Sequence, residues 1–412
     1  MSRIRLTICF VLLFSFMVQD NCTVWAGEFS MTPTVSTGVE YSDNVEEKKN
    51  GKDDFIMSVT PGGEVKYEAS RLEFSAKGGL EIREYAKGVK KSENLGNLDA
   101  SMKLEALENF MFLEVSDAYT QVYSDSTRGD LEEGENDSSG VTDQNRFVVS
   151  PYIETDLLKR TRVKSGYRYE RYDYSSDKST DKLIHTVFGD VDHELTDRWS
   201  LDTRLSYARH EPDNDASALD VYKLLVGTTY EYAEDSEVYF RVGPAYRVKE
   251  NGGSSSDPSW EAGVVHALDK GMSLALTTKR DLEEDPESAS PRDSIVHSVR
   301  FSQALERADW YARVSYGTYE SDNSVSDTIR WSPGIGGSYL LTERLKLTGG
   351  VSSSFSDADS YTARYFGNAG LRYQFSDTFA GRFQYRYKLV DTTGADEDYQ
   401  VNRFGVYLDA SF

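Results

Sequence analysis

Cysteine is nearly absent: the 412 residues hold two, Cys9 and Cys22, both close to the N-terminus. The rest of the chain must be held by packing and hydrogen bonds, not by a disulfide framework. No long apolar run follows Val18, and 28% of the residues are charged, which excludes a bundle of membrane-spanning helices. Histidine is also scarce. His185, His193, His210, His266 and His297 lie far apart without metal-ligand spacing, so neither a metal site nor a cofactor is expected. No serine, cysteine or aspartate stands in the context of a catalytic nucleophile, and the chain is not expected to be an enzyme. Basic residues number 46 against 69 acidic ones, a formal charge of -23 that argues against nucleic acid as a partner.

What remains suits strands. Gly 31 and Tyr 27 against Pro 9 favour extended segments and turns over helices. In the last stretch, Phe404, Val406, Leu408, Ala410 and Phe412 alternate with Arg403, Gly405, Tyr407, Asp409 and Ser411. Period two over this length is a strand with one apolar and one polar face. An apolar outer face is a hazard on a free edge in water, but not on a strand that closes a cylinder in lipid. The terminal Phe412 resembles the signal read by the outer-membrane assembly machinery. At the other end, Arg3 and Arg5 precede the apolar run Leu6 to Val18, with a cleavage site offered by Val24-Trp25-Ala26. Residues 1–26 therefore read as a secretory signal peptide and 27–412 as one outer-membrane barrel domain.

The alternation repeats along the chain. Long polar connections are expected at Asp43 to Asp54, Ser124 to Asp143, Ser175 to Asp181, Glu211 to Ser217, Glu250 to Pro258 and Glu283 to Asp293. Others follow at Ser321 to Asp327, Ser356 to Ser360 and Thr392 to Tyr399. Between them lie compact turns, several of the form Leu-Thr-Asp/Glu-Arg, as at Leu195-Thr196-Asp197-Arg198 and Leu341-Thr342-Glu343-Arg344. Long and short connections in alternation predict an all-β fold: a single transmembrane antiparallel β-barrel of about 20 strands (18–20). Its short turns would face the periplasm and its longer loops the exterior. The count is less firmly marked at Leu95 to Leu107 and Asp143 to Asp156, where the pattern weakens. Pro33, Pro61, Pro151, Pro244 and Pro333 fall inside strands, against regular central pairing, and bulges or bends are expected at Pro61-Gly62-Gly63 and Pro333-Gly334.

The polar face is where chemistry would lie. In phase with it stand Arg313, Arg364, Arg372, Arg382, Arg386 and Arg403, the expected lumen-lining residues. A charge at every second position is cheap in a wet lumen and costs about 2–4 kcal/mol per Arg or Lys at the lipid midplane. Either these arginines pair with carboxylates and stiffen the wall, or they form an unbroken guanidinium strip that guides anions.

Residues Thr32 to Glu81 resemble the opening of the beta-barrel porin 2 family of outer-membrane β-barrels. The matching features are Thr32-Pro33, Tyr41-Ser42-Asp43-Asn44-Val45, Asp54-Phe55-Ile56, Thr60-Pro61-Gly62 and Arg71. The resemblance implies a porin-like channel for small hydrophilic or anionic solutes. Because some members are associated with exopolysaccharide export, it also implies an alternative, the outer-membrane outlet of such a system with its export partners. Outer-membrane lipid and lipopolysaccharide are the expected surroundings, and no functional residue is carried over from the family.

Overall fold

The computed structural model describes residues 27–131, 140–214, 216–320, 327–358, 360–393 and 398–412. The expected leader, residues 1–26, lies outside the described residues, as does most of the expected connection Ser321 to Asp327. Twenty strands run in sequence. The first five are β1 (Glu28–Ser42), β2 (Asp54–Ala69), β3 (Leu72–Tyr85), β4 (Glu93–Leu107) and β5 (Met111–Tyr123). Then come β6 (Val141–Leu158), β7 (Thr161–Tyr174), β8 (Lys182–Thr196), β9 (Trp199–Pro212) and β10 (Leu219–Ala233). The third group is β11 (Ser236–Lys249), β12 (Ser254–Leu268), β13 (Met272–Glu283), β14 (Arg292–Ala304) and β15 (Ala308–Glu320). The last is β16 (Thr328–Thr342), β17 (Leu345–Asp357), β18 (Tyr361–Gln374), β19 (Phe379–Thr392) and β20 (Tyr399–Ser411). Each strand pairs antiparallel with the next, and β1 pairs with β20 in the register Val39↔Val406, so the sheet closes on itself. The segments with the weaker alternation form β4 and β6 in full, which fixes the number at twenty.

Closure leaves no free edge, and the two faces of each strand separate cleanly. In β20, Phe404, Val406 and Leu408 point outward and are exposed, Val406 by 63%, whereas Val401 and Arg403 point inward and are 2% and 4% exposed. Aromatic pairs collect at two levels of the outer face. Trp199–Tyr230, Phe301–Trp310 and Phe379–Phe412 lie near the short-turn rim. Tyr41–Phe55, Tyr207–Tyr222, Tyr316–Trp331 and Tyr385–Phe404 lie toward the long-loop rim. Two girdles around an apolar band are what headgroup-level ring solvation favours.

The recurrent turn motif has a local cause. At Leu195 and Leu341 the register shifts by one residue, between Glu194 and Thr196 and between Leu340 and Thr342. The extra residue turns the leucine to the apolar outside, where both are exposed. The following threonine hydroxyl then accepts the turn's backbone N–H groups, from Arg198 at 3.3 Å and from Arg344 and Leu345 at 3.3 and 3.1 Å. Arg160, Asp235 and Lys270 complete their turns with positive φ.

The in-strand prolines do not make the expected bulges. Around Pro61, Pro151 and Pro333 one ladder skips two rungs, from Val59↔Ile82 to Gly62↔Gly79, from Val149↔Tyr169 to Tyr152↔Gly166, and from Trp331↔Phe355 to Gly334↔Ser352, and the register is unchanged. A missing N–H breaks rungs but need not add a residue, and each strand carries on. The expected connection Glu250 to Pro258 is also shorter than its sequence suggests: β12 begins at Ser254, and Pro258 pairs opposite Pro244.

Two long connections fold into the barrel. After β5, the short 3-10 turn Ser126–Arg128 reaches β16, on the far side of the cylinder, where the Arg330 guanidinium donates to the Thr127 carbonyl. The connection between β13 and β14 crosses to β7 and β8. There Glu284 accepts from Lys182 and from the Tyr174 hydroxyl at 3.2 Å, and Thr180 N–H donates to the Pro286 carbonyl at 2.8 Å. Burial lifts the Glu284 carboxyl above its ordinary value, with Lys182 opposing.

Candidate functional site

The inner wall is charged from rim to rim, so the candidate site is the interior itself. All six arginines expected to line it point inward, but the structure does not bring them together as one strip. Four are interleaved with carboxylates. Glu40, on β1, accepts from Arg386 and from the Tyr407 hydroxyl at 2.9 Å, and lies 3.8 Å from Arg403. Glu47, from the β1–β2 connection, binds Arg403 at 3.0 Å and Lys388 at 2.9 Å. Asp409 lies between Arg372 at 2.8 Å and Arg382 at 3.6 Å, and also accepts from Ser36 at 2.7 Å. Register explains the need. Arg386 faces Arg403 directly and Arg372 faces Arg382, so each like-charged pair must share an anion. The unbroken guanidinium strip is therefore corrected to a network of alternating sign.

The same pairing rule holds elsewhere on the wall. Arg241 and Arg204 share Asp202 and Glu261, and Arg247 and Arg280 share Asp257 and Asp293. Near β2–β7 a hollow of about 570 Å³ mixes Lys66, Glu73, Lys103, Glu114 and Arg146.

The wall from β14 to β18 differs. Arg313 and Arg364, the other two expected residues, line a hollow of about 260 Å³ together with Arg300 and Arg330, and Arg128 of the inward turn faces them. Three of these cations have neutral contacts. Arg300 lies over the Tyr311 ring at 4.5 Å, Arg364 donates to the Ser356 hydroxyl at 3.4 Å, and Arg330 donates to the Thr127 carbonyl. None of these three has a carboxylate within ion-pair distance among the described residues. Asp130 is the acidic residue on the lining among the described residues. The Ser354 hydroxyl is buried there without a hydrogen-bond partner.

Sequence phase could have found Arg300 and Arg330, which alternate with the outward Val299 and the outward Ile329 and Trp331. Phase marks Glu40 as inward too, next to the outward Val39, but nothing local marks Arg128 or Glu47, whose roles depend on chain segments meeting across the closed barrel.

The family described as "Protein of unknown function, DUF481" matches residues 288–406, less than a third of the chain and the part that carries the arginine hollow and most of the closing strands. Comparison with curated proteins found no match. Among solved structures, the chain is similar to the FrpB iron transporter of Neisseria meningitidis in its apoprotein form. The TM-score is 0.53 at 9% identity, covering 93% of this chain and 81% of that one. It is similar to a ferric enterobactin receptor (PfeA) variant of Pseudomonas aeruginosa, with TM-score 0.52 at 9% identity, covering 93% and 80%. A loop-deletion form of OmpT, an outer membrane protein of Vibrio cholerae, aligns over 94% of this chain and 100% of that one, at 11% identity and a TM-score of 0.40. At 9% identity the likeness to the first two structures is one of fold: a closed antiparallel barrel of the kind found in outer-membrane proteins.

Proposed function

We propose that this chain is an outer-membrane, porin-like channel through which small hydrophilic or anionic solutes pass. The observation that carries the reading is the division of the closed barrel into an apolar, doubly girdled outer face and an inner wall charged along its whole height. The outer face would meet lipid and lipopolysaccharide. Phe412, exposed and stacked edge-on with Phe379, would be read by the assembly machinery. The inner wall serves as a solute path and not as a catalytic centre.

Two connections folded into the lumen favour small solutes over a polymer, since both cross the path a chain would thread. An outlet for surface polysaccharide remains the rival. It would be supported by loss of surface polymer on deletion while uptake of small solutes stays normal. The channel reading predicts stepwise conductance of the refolded protein in planar bilayers. A heat-modifiable, membrane-embedded barrel that carries no current at any potential would overturn it.

A further inference from the structure

We infer that the hollow beneath the Ser126–Arg128 turn is a binding site for a small solute bearing two or more oxyanion groups, carboxylate or phosphate, held by Arg300, Arg330 and Arg364. The inference deepens the channel reading and rests on it for the route by which a solute arrives; binding itself does not require current.

Three observations converge on it. The first is composition. Every other inward arginine cluster described above is interleaved with Asp or Glu, whereas Arg300, Arg330 and Arg364 line this hollow with no carboxylate within ion-pair distance among the described residues. The second is contact chemistry: Arg300, Arg330 and Arg364 spend their contacts on a ring, a carbonyl and a hydroxyl. Planar guanidinium groups without a carboxylate are donors in waiting, and two oxygens on one acid group match their fork. The third is the buried Ser354 hydroxyl, which has no hydrogen-bond partner and belongs to a residue lining the same hollow. Buried hydroxyls are normally satisfied, and a ligand oxygen at this wall would satisfy this one.

Size and placement set the class. A hollow of about 260 Å³ that opens onto the lumen admits a polycarboxylate or a sugar bisphosphate. Arg300, Arg313 and Arg330 come from consecutive strands and Arg364 from β18, two strands further round. The site is therefore broad enough to engage more than one acid group of a single solute. The inward turn is seated against it by Arg330, and a Cβ added at Gly129, whose φ is 78°, would lie 2.5 Å from that guanidinium.

The experiment is calorimetric titration of the folded protein at low salt with citrate and, separately, with fructose 1,6-bisphosphate. The wild type is compared with R300S/R330S/R364S, and Arg204→Ser serves as an ion-paired inward control. Folding is checked by heat-modifiable migration. At least one of the two anions should bind the wild type, the tighter of them naming the preferred acid group. The triple variant should lose at least about tenfold in affinity, as expected for charged hydrogen bonds removed. The control should change by no more than about twofold, being remote. If the triple variant does not fold, the three single serine variants are titrated instead, and wild-type affinity in all of them overturns the site. No binding of either anion by the wild type, or equal binding by the triple variant, overturns it as well. Conductance without anion binding removes the site alone, whereas anion binding without conductance removes the channel reading and leaves the site standing.

Discussion

Two stretches of one wall carry comparable numbers of arginines and use them in opposite ways. Around the closing seam, Arg372, Arg382, Arg386 and Arg403 each share a carboxylate with a like-charged neighbour, and Lys388 and Arg403 are buried against Glu47. From β14 to β18, Arg300, Arg330 and Arg364 stand around open space. The residue type is the same; the placement of Asp and Glu decides whether an arginine is part of the framework or is available to a solute. Formal charge along a strand therefore says little until its cross-strand partners are known.

The sharpest test of this contrast is stability. In the variant Glu47→Ala, Lys388 and Arg403 lose their shared carboxylate while their side chains remain 5% and 4% exposed. Breaking a buried pair from one side costs about 3–5 kcal/mol, so the urea midpoint of refolding should fall strongly. Arg364→Ser, which removes a cation that lacks such a partner, should cost less than about 1 kcal/mol or stabilise by relieving repulsion. Equal losses would erase the distinction.

Selectivity should divide the same way. In a KCl gradient, R300S/R330S/R364S should move the reversal potential toward cation preference. R382S/R386S should move it less, because Asp409 and Glu40 already offset those two charges. A larger shift in the second variant would return the field to the paired sector.

The smallest effect concerns pH. Burial lifts the Glu284 carboxyl above its ordinary value of 4.5, so the folded chain holds that proton more tightly than the unfolded chain does. The seat of the β13–β14 connection is thus firmest below the ordinary value and loosens as pH rises through the lifted one. Hydrogen exchange over residues 284–291 should become faster from about pH 4 to 7, beyond the intrinsic rate change, and Glu284→Gln should flatten that trend. An unchanged trend in the variant would assign the pH response to another group.

Much of the fold was legible because a membrane barrel writes itself locally. Alternation in β20 and the Leu-Thr-Asp/Glu-Arg turns each depend on a few adjacent residues, and they marked the architecture, a strand number between 18 and 20 and the direction of each face. The prolines misled because a missing N–H looks the same in sequence whether it shifts a register or only skips rungs. The site was half legible. Phase marked Arg313 and Arg364 as inward, but whether an inward arginine is paired depends on the strand beside it and on connections that cross the barrel. Glu47 meets Arg403 from 356 positions away, and Arg330 meets Thr127 from 203. No local pattern reports such distances.

The seam between β1 and β20 has a consequence for how the molecule comes into being. Ser36 with Asp409, Glu40 with Arg386 and Tyr407, Asp43 with Asn402 and Glu47 with Arg403 join residues 346 to 373 positions apart. None of these contacts exists until the first and last hairpins meet, and an unclosed sheet leaves Lys388 and Arg403 without their anion. The seam therefore ties the two ends of the chain to each other, and its long-range contacts form only with the last strand in place.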